Sequence, residues 1–329
     1  MQRRSIPVLA GRLLQCRKNV ATGHAGILAV QPLAIAFSSI ALARMRKLTL
    51  LDPNEQNSTP SPNGSVRRPL AYREEAFLQS PESRPLRILS EYLWPLAHFQ
   101  EEKIQDTIVF FGSARIEETG PLCRYYEEAR ELARLVTEWS LSISHAANGS
   151  EPHRRFVVCS GGGPGIMEAA NRGACEAGGK SVGLNIGLPF EQRPNAYITP
   201  ELSFEFHYFF MRKFWFAYLA RALVVFPGGF GTLDELMEIL TLAQTKKLES
   251  KILIVLYGSA FWNEVINFQA LIKHGVISES DLNLFRFANS PQEGMAILTE
   301  GLTAYYLEPE KMLSYPSEET PEIARTRTP

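Results

Sequence analysis

The chain has 329 residues, of which 45% are hydrophobic and 21% charged, and its formal net charge is −1. That composition suffices for a buried core, in one large α/β domain with appendages or in two small domains. A charge so close to zero, with no basic stripe, excludes a nonspecific nucleic-acid binder.

The charge is unevenly placed along the chain. Residues 1–51 carry eight Lys/Arg and no acid, which leaves residues 52–329 at a net −9. An uncharged, mostly apolar stretch from Ala25 to Ala43 follows the first arginines. A signal peptide, a transit peptide, a poor membrane anchor and a translation start at Met45 all fit this segment. Cytoplasmic residence is expected, with organellar targeting or export as the alternative if residues 1–43 are a targeting peptide. Residues 52–69 are rich in Pro, Asn and Ser and read as a disordered linker. Residues 70–106 read as a helical arm, with Leu86, Leu89, Leu93, Leu96 and Phe99 near helical spacing and Pro95 breaking or starting a helix.

Strands and helices then alternate through a catalytic domain expected over 107–307. The apolar run Thr107–Phe111 leads to GSAR at 112–115, and a helix is expected from Pro121 to Trp139. Residues 140–155 read as a polar surface insertion. The run Phe156–Cys159 leads to SGGGPG at 160–165, and a helix from Ile166 to about Ala177 and a strand from Ser181 to Ile186 follow. Nine of the fifteen residues from Phe204 to Tyr218 are aromatic, a density that suits core or a subunit interface better than base stacking. Next come the run Ala222–Phe226 and PGGFGT at 227–232, with helical spacing from Leu233 to Lys247. A strand at Ile252–Leu256, a helix at 261–273, a strand near 284–287 and a helix at 291–306 complete the pattern. Residues 308–329 read as a disordered tail. Alternation of this kind predicts a Rossmann-like, doubly wound parallel sheet.

In such a sheet, ligands bind at the carboxyl ends of the strands. Three strand ends here carry glycine or serine loops, and Pro227–Thr232 turns a strand into a helix whose open N–H groups suit a phosphate. Two readings of Glu235 stand side by side. Thr232-x-x-Glu235 fits a capping box, and Glu235 is also a carboxylate beside an anion site. Several other motifs fail. Neither glycine loop completes G-x-G-x-x-G, Gly179-Lys180-Ser181 lacks the earlier glycine of a P-loop, and the six histidines show no metal pair, so no cofactor and no metal are expected. Cys16, Cys123, Cys159 and Cys175 show no metal spacing, and Cys159 and Cys175 read as buried thiols of a reducing compartment.

PGGFGTLDE at 227–235 resembles PGGxGTxxE, the signature of the Lonely-guy (LOG) family of cytokinin-activating phosphoribohydrolases. Met211-Arg212-Lys213 resembles that family's arginine-lysine pair, and SGGGPGIMEAANRGA and FGSAR are similar to its other two loops. The resemblance implies an N-glycosidase that cleaves a nucleoside 5′-monophosphate into free base and ribose 5-phosphate, in a protein that is at least dimeric. It implies Arg212 and Glu235 as catalytic residues and Gly228, Gly229, Gly231 and Thr232 as the phosphate holders. Gly161, Gly162, Gly163, Ser113, Lys213, Glu168 and Asn171 are further nucleotide-binding candidates, and Arg115 is either a contact or a solvated charge. The arm, the 140–155 insertion and the aromatic stretch depart from short plant-type members, so ordinary purine or pyrimidine monophosphates stand beside cytokinin precursors as substrates. The alternative is a carrier that holds a phosphorylated ligand, such as a nucleotide or a molybdenum cofactor, without cleaving it.

Overall fold

The computed structural model describes residues 69–144, 153–188, 193–248 and 250–307. The expected N-terminal segment, most of the expected linker, the middle of the 140–155 insertion and the tail lie outside the described residues. The chain divides into two compact units, one spanning Pro85–Tyr315 and one that includes residues 69–84. The latter carries a short helix α1 (Glu75–Gln79) between two 3-10 turns, and Ser83 donates from Oγ to the Phe77 carbonyl at 2.6 Å.

The larger unit is built on β1 (Thr107–Phe111), β2 (Val157–Ser160), β3 (Ser181–Ile186), β4 (Ser203–Phe206), β5 (Ala220–Val225), β6 (Leu253–Tyr257) and β7 (Phe285–Ala288). All pair in parallel, in the order β4-β3-β2-β1-β5-β6-β7. β1 and β6 are buried at every position, as expected of strands covered on both faces and coded by unbroken apolar runs. The chain moves outward from β1 to β4, then returns to the other side of β1 for β5. Strand order therefore reverses at β1, the place where such sheets bind ligands.

Two helical layers cover the sheet. On one face lie α3 (Cys123–Ser144), α4 (Ile166–Glu176) and α9 (Pro291–Leu302), around Ile108, Phe110, Leu132, Ala170, Val224 and Leu298. On the other lie α2 (Arg84–Glu101), α5 (Phe209–Tyr218), α6 (Phe230–Gln244), α7 (Ser259–Val265) and α8 (Phe268–Lys273), around Phe99, Phe204, Trp215, Leu223, Leu236 and Trp262.

Several expectations need correction. Pro95 lies inside α2 and neither breaks nor starts it. The buried face of α2 is Ile88, Tyr92, Pro95, Leu96 and Phe99, whereas Leu86, Leu89 and Leu93 of the expected stripe are 43–49% exposed. Two apolar stripes share this helix, and spacing alone does not rank them. Helix α3 runs past Trp139 to Ser144, so Ser140 and Arg155 at the edges of the expected insertion are buried rather than at the surface. Ser140 donates to the Arg155 carbonyl, and Arg155 pairs with buried Asp106 at 2.7 Å. The helix expected over 261–273 is two helices, separated where the Asn267 side chain caps α8 by accepting from the Ala270 N–H at 2.9 Å. The last helix ends at Leu302 and a π-helical turn continues to Leu307. Cys159 is buried, whereas Cys175 is only partly so. The aromatic stretch is largely core: Trp215 stacks on Tyr92 at 5.6 Å and meets Phe99 at 5.2 Å.

Candidate active site

The carboxyl ends of β2, β1 and β5 carry the three loops, and backbone hydrogen bonds join them. The Ser113 N–H donates to the Pro227 carbonyl at 3.0 Å, and the Ser113 carbonyl accepts from the Ile166 N–H at 3.1 Å. The short loop after β1 thus ties the other two together. Ser113 also accepts from the Arg115 N–H through Oγ at 3.1 Å, which shapes its own turn.

The loop after β2 is held from beneath by asparagines. Asn195 donates from Nδ2 to the carbonyls of Gly162 (3.1 Å) and Gly163 (3.0 Å) and to Asn171 Oδ1 (3.0 Å). Ser160 donates to the same Asn171 oxygen at 2.6 Å and accepts from the Gly162 N–H at 3.0 Å. With its amide oriented to donate, Asn185 reaches the Gly161 and Gly162 carbonyls, each at 3.2 Å. Gly162 has φ +72°, and a Cβ there would lie 2.4 Å from the Asn185 amide, so a side chain is excluded on both counts. Asn171 is fully buried and its amide is engaged within the protein, where it builds the loop. Asn195 and Asn185 were not among the residues expected from sequence. The polar Asn185 inside the buried run Ser181–Ile186 was the available signal.

The loop after β5 corrects the capping-box reading. Helix α6 begins at Phe230 with Gly229 as N-cap and no side-chain cap. Thr232 is therefore inside the first turn, packed against Gly228, and Glu235 lies beyond it. Gly229 and Gly231 have no neighbour within 4 Å of a would-be Cβ, so this helix start faces open space.

Arg212, in the first turn of α5, reaches back to the sheet. Its Nε donates to the Leu184 carbonyl at 2.8 Å, and its guanidinium lies over Phe216, 5.1 Å from the ring centre. A Cβ on Gly161 would come within 2.7 Å of Arg212 Nη2, so the glycine makes room for the guanidinium. Glu235 approaches from α6 and is only 8% exposed. Burial pushes its carboxyl up to about 7, although the positive charges of Arg212 and Lys213 pull the other way. Burial likewise lowers the Arg212 pKa, opposed by Glu235. The two groups thus sense each other's charge while neither is well solvated. Such a carboxyl gains and loses a proton near neutrality, and its cationic neighbour can orient an anion or polarise a leaving group.

The remaining candidates fall elsewhere. Lys213 pairs with Asp234 at 2.9 Å and Glu238 at 2.7 Å, which binds α5 to α6 and engages its ammonium within the protein. Burial lowers its pKa, yet hydrogen bonds to Glu238 and Asp234 leave it raised. Glu168 is partly buried and accepts from the Tyr126 hydroxyl at a long 3.4 Å. Exposed Arg115 lines a cavity of ≈ 240 Å³ with Ser113, Leu122, Pro227, Gly228 and Phe261, and neither Arg212 nor Glu235 borders it.

Residues 167–298 match the family model described as "Possible lysine decarboxylase". Two rice proteins (Oryza sativa subsp. japonica) align with this chain, both named probable cytokinin riboside 5′-monophosphate phosphoribohydrolases. LOGL3 is 26% identical over 212 residues, covering 61% of this chain and 86% of its own length, and LOG4 is 27% identical over 147 residues, covering 44% and 62%. Over these stretches the chain is similar to Lonely-guy proteins. Among solved structures, it is similar to the molybdenum cofactor binding protein from Rippkaea orientalis (TM-score 0.40, 17% identity, 59% of this chain and 96% of the other). It is likewise similar to the Moco carrier protein from Chlamydomonas reinhardtii (TM-score 0.39, 21% identity, 60% and 99%). Lys213 does not fit the decarboxylase description. A lysine that forms a Schiff base must give up its proton readily, and the two carboxylates around Lys213 oppose that.

Proposed function

We propose that this protein hydrolyses the N-glycosidic bond of a nucleoside 5′-monophosphate, releasing free base and ribose 5-phosphate. The observation that carries the reading is the pairing of buried Glu235, titrating at about 7, with Arg212 beside the open α6 N-terminus. The N–H groups at Gly229–Gly231 suit the 5′-phosphate. With the phosphate there, the ribose lies toward the pair. The C1′–N bond breaks first in character, and the ionised Glu235 stabilises the oxocarbenium-like charge. Glu235 takes a proton from the attacking water as the C1′–O bond forms and returns it to solvent, while the departing base takes up one proton from solvent at the nitrogen freed from C1′. Arg212 holds the nucleotide's anionic or acceptor groups in place. AMP and cytokinin riboside 5′-monophosphate are the candidate substrates. No cofactor enters this scheme.

Helix starts of α5 and α6 also expose Phe209, Phe210 and Phe230, at 53%, 50% and 93%. Apolar groups this exposed, beside the site, support a homodimer or larger homo-oligomer.

The test is a panel of nucleoside 5′-monophosphates assayed for released base and ribose 5-phosphate, with Glu235→Gln alongside. Release from AMP or an N6-substituted AMP, lost by roughly 10²–10⁴-fold in the variant without loss of folding, is the expected outcome. Tight binding with no release across the panel replaces the hydrolase by the carrier, a reading favoured by the cavity at Ser113 and Gly228 that lies apart from the pair.

A further inference from the structure

The α2 helix and the residues just before α5 have no part in the chemistry just described, yet they meet at one carboxylate. Glu91, midway along α2, accepts from the His207 N–H through Oε1 at 2.7 Å and from the Tyr208 N–H through Oε2 at 3.2 Å. Tyr208 is the N-cap residue of α5 and offers no side-chain cap of its own. The Tyr208 carbonyl in turn accepts from the N–H groups of Met211 (3.1 Å) and Arg212 (3.2 Å). One residue, Tyr208, therefore connects the Glu91 carboxylate to the backbone of Arg212. A negative charge here also complements the positive end of the α5 dipole.

The surroundings hold Glu91 in place. Its own carbonyl accepts from Trp215 Nε1 at 3.0 Å, and Tyr92 packs on Phe214 and Trp215, each at 5.6 Å. Phe99, two turns on, packs on Phe204 at 5.3 Å and on Trp215 at 5.2 Å. Helix α2 thus grips both the strand before α5 and the helix itself. The long Arg212 side chain donates to the Leu184 carbonyl and lies over Phe216 of its own helix, so its aim depends on where α5 begins.

We propose that Glu91 is a positioning residue for Arg212, fixing the start of α5 so that the guanidinium is held against Gly161, where it acts on the charge of Glu235. The inference rests on the reading of Arg212 as a nucleotide-orienting group. It assigns to α2 a part in catalysis at a distance from the substrate.

The experiment uses the full chain with Glu91→Ala and Glu91→Gln, each also combined with Arg212→Ala. Amide hydrogen exchange over residues 207–213 is measured first, with the β6 segment as an internal control. Exchange at 207–213 should quicken roughly tenfold in Glu91→Ala, less in Glu91→Gln, and stay unchanged in β6. With AMP as the probe, kcat/KM should fall roughly tenfold in Glu91→Ala, mostly in kcat, since an ill-aimed Arg212 weakens the transition state more than ground-state binding. In the Arg212→Ala background the same change should cost little. Unaltered exchange at 207–213 in both variants overturns the proposal, as does an equal kinetic loss with and without Arg212. If wild-type protein cleaves no monophosphate, the hydrolase reading fails, and exchange alone then decides whether Glu91 fixes the α5 start.

Discussion

Burial pushes the Glu235 carboxyl from its ordinary 4.5 up to about 7, while Arg212 and Lys213 pull it back. Two consequences follow at this residue. If the ionised form acts on the substrate, kcat/KM should climb with pH up to about 7 and level off above it, a profile read directly from initial rates. The stability effect has the opposite sense. A folded-state pKa above the unfolded value means that the native chain keeps a proton the unfolded chain has lost. Stability from this group is complete below about 4.5 and declines as pH rises through about 7. Glu235→Gln should therefore raise the thermal midpoint at pH 8, by an amount worth up to about 3 kcal/mol, and leave it unchanged at pH 4. A variant that is dead but no more stable at pH 8 would show that the carboxyl is not strained by burial.

At the scale of elements, the glycine loops stand on buried and half-buried amides. Asn195→Ala removes the amide that donates to Gly162, Gly163 and Asn171, although the Gly162 carbonyl keeps the Asn195 backbone N–H at 2.9 Å. The expected cost is about 2–3 kcal/mol in urea unfolding, with a raised KM for the monophosphate. Unchanged stability would mean that water replaces the amide at once. The sheet and its loops were legible in the sequence because buried parallel strands leave continuous apolar runs, and glycine clusters mark where each ends. The support beneath the loops was not. Asn171 and Glu168 look alike as early-helix polar residues, and only the fold shows that one is sealed inside and the other is not. Thr232-x-x-Glu235 matched a cap locally, yet α6 starts at Phe230 because the chain leaving β5 turns into the helix there. In α2 both apolar stripes have helical spacing, and what lies opposite each one chooses between them.

On the scale of the whole molecule, the sheet separates chemistry from anchoring. Its amino edge holds Asp106, fully buried against Arg155 and the Phe156 N–H, with Arg221 also acting on its charge. Removing that carboxylate strands two cations, so Asp106→Ala should lose about 3–5 kcal/mol in denaturant titration while kcat/KM of the folded fraction stays near wild type. A fall in kcat/KM without a fall in stability would contradict this division. The strand order has a further consequence for synthesis. β1 leaves the ribosome ahead of every other strand, but the neighbour on its second side is β5, and Thr107 pairs with Ala220. Until that later stretch emerges, one apolar edge of the central strand has no native partner, and neither the loop after β1 nor Arg212 can be in place. Over the interval between β1 and β5, about a third of the chain, the central strand is open to mispairing.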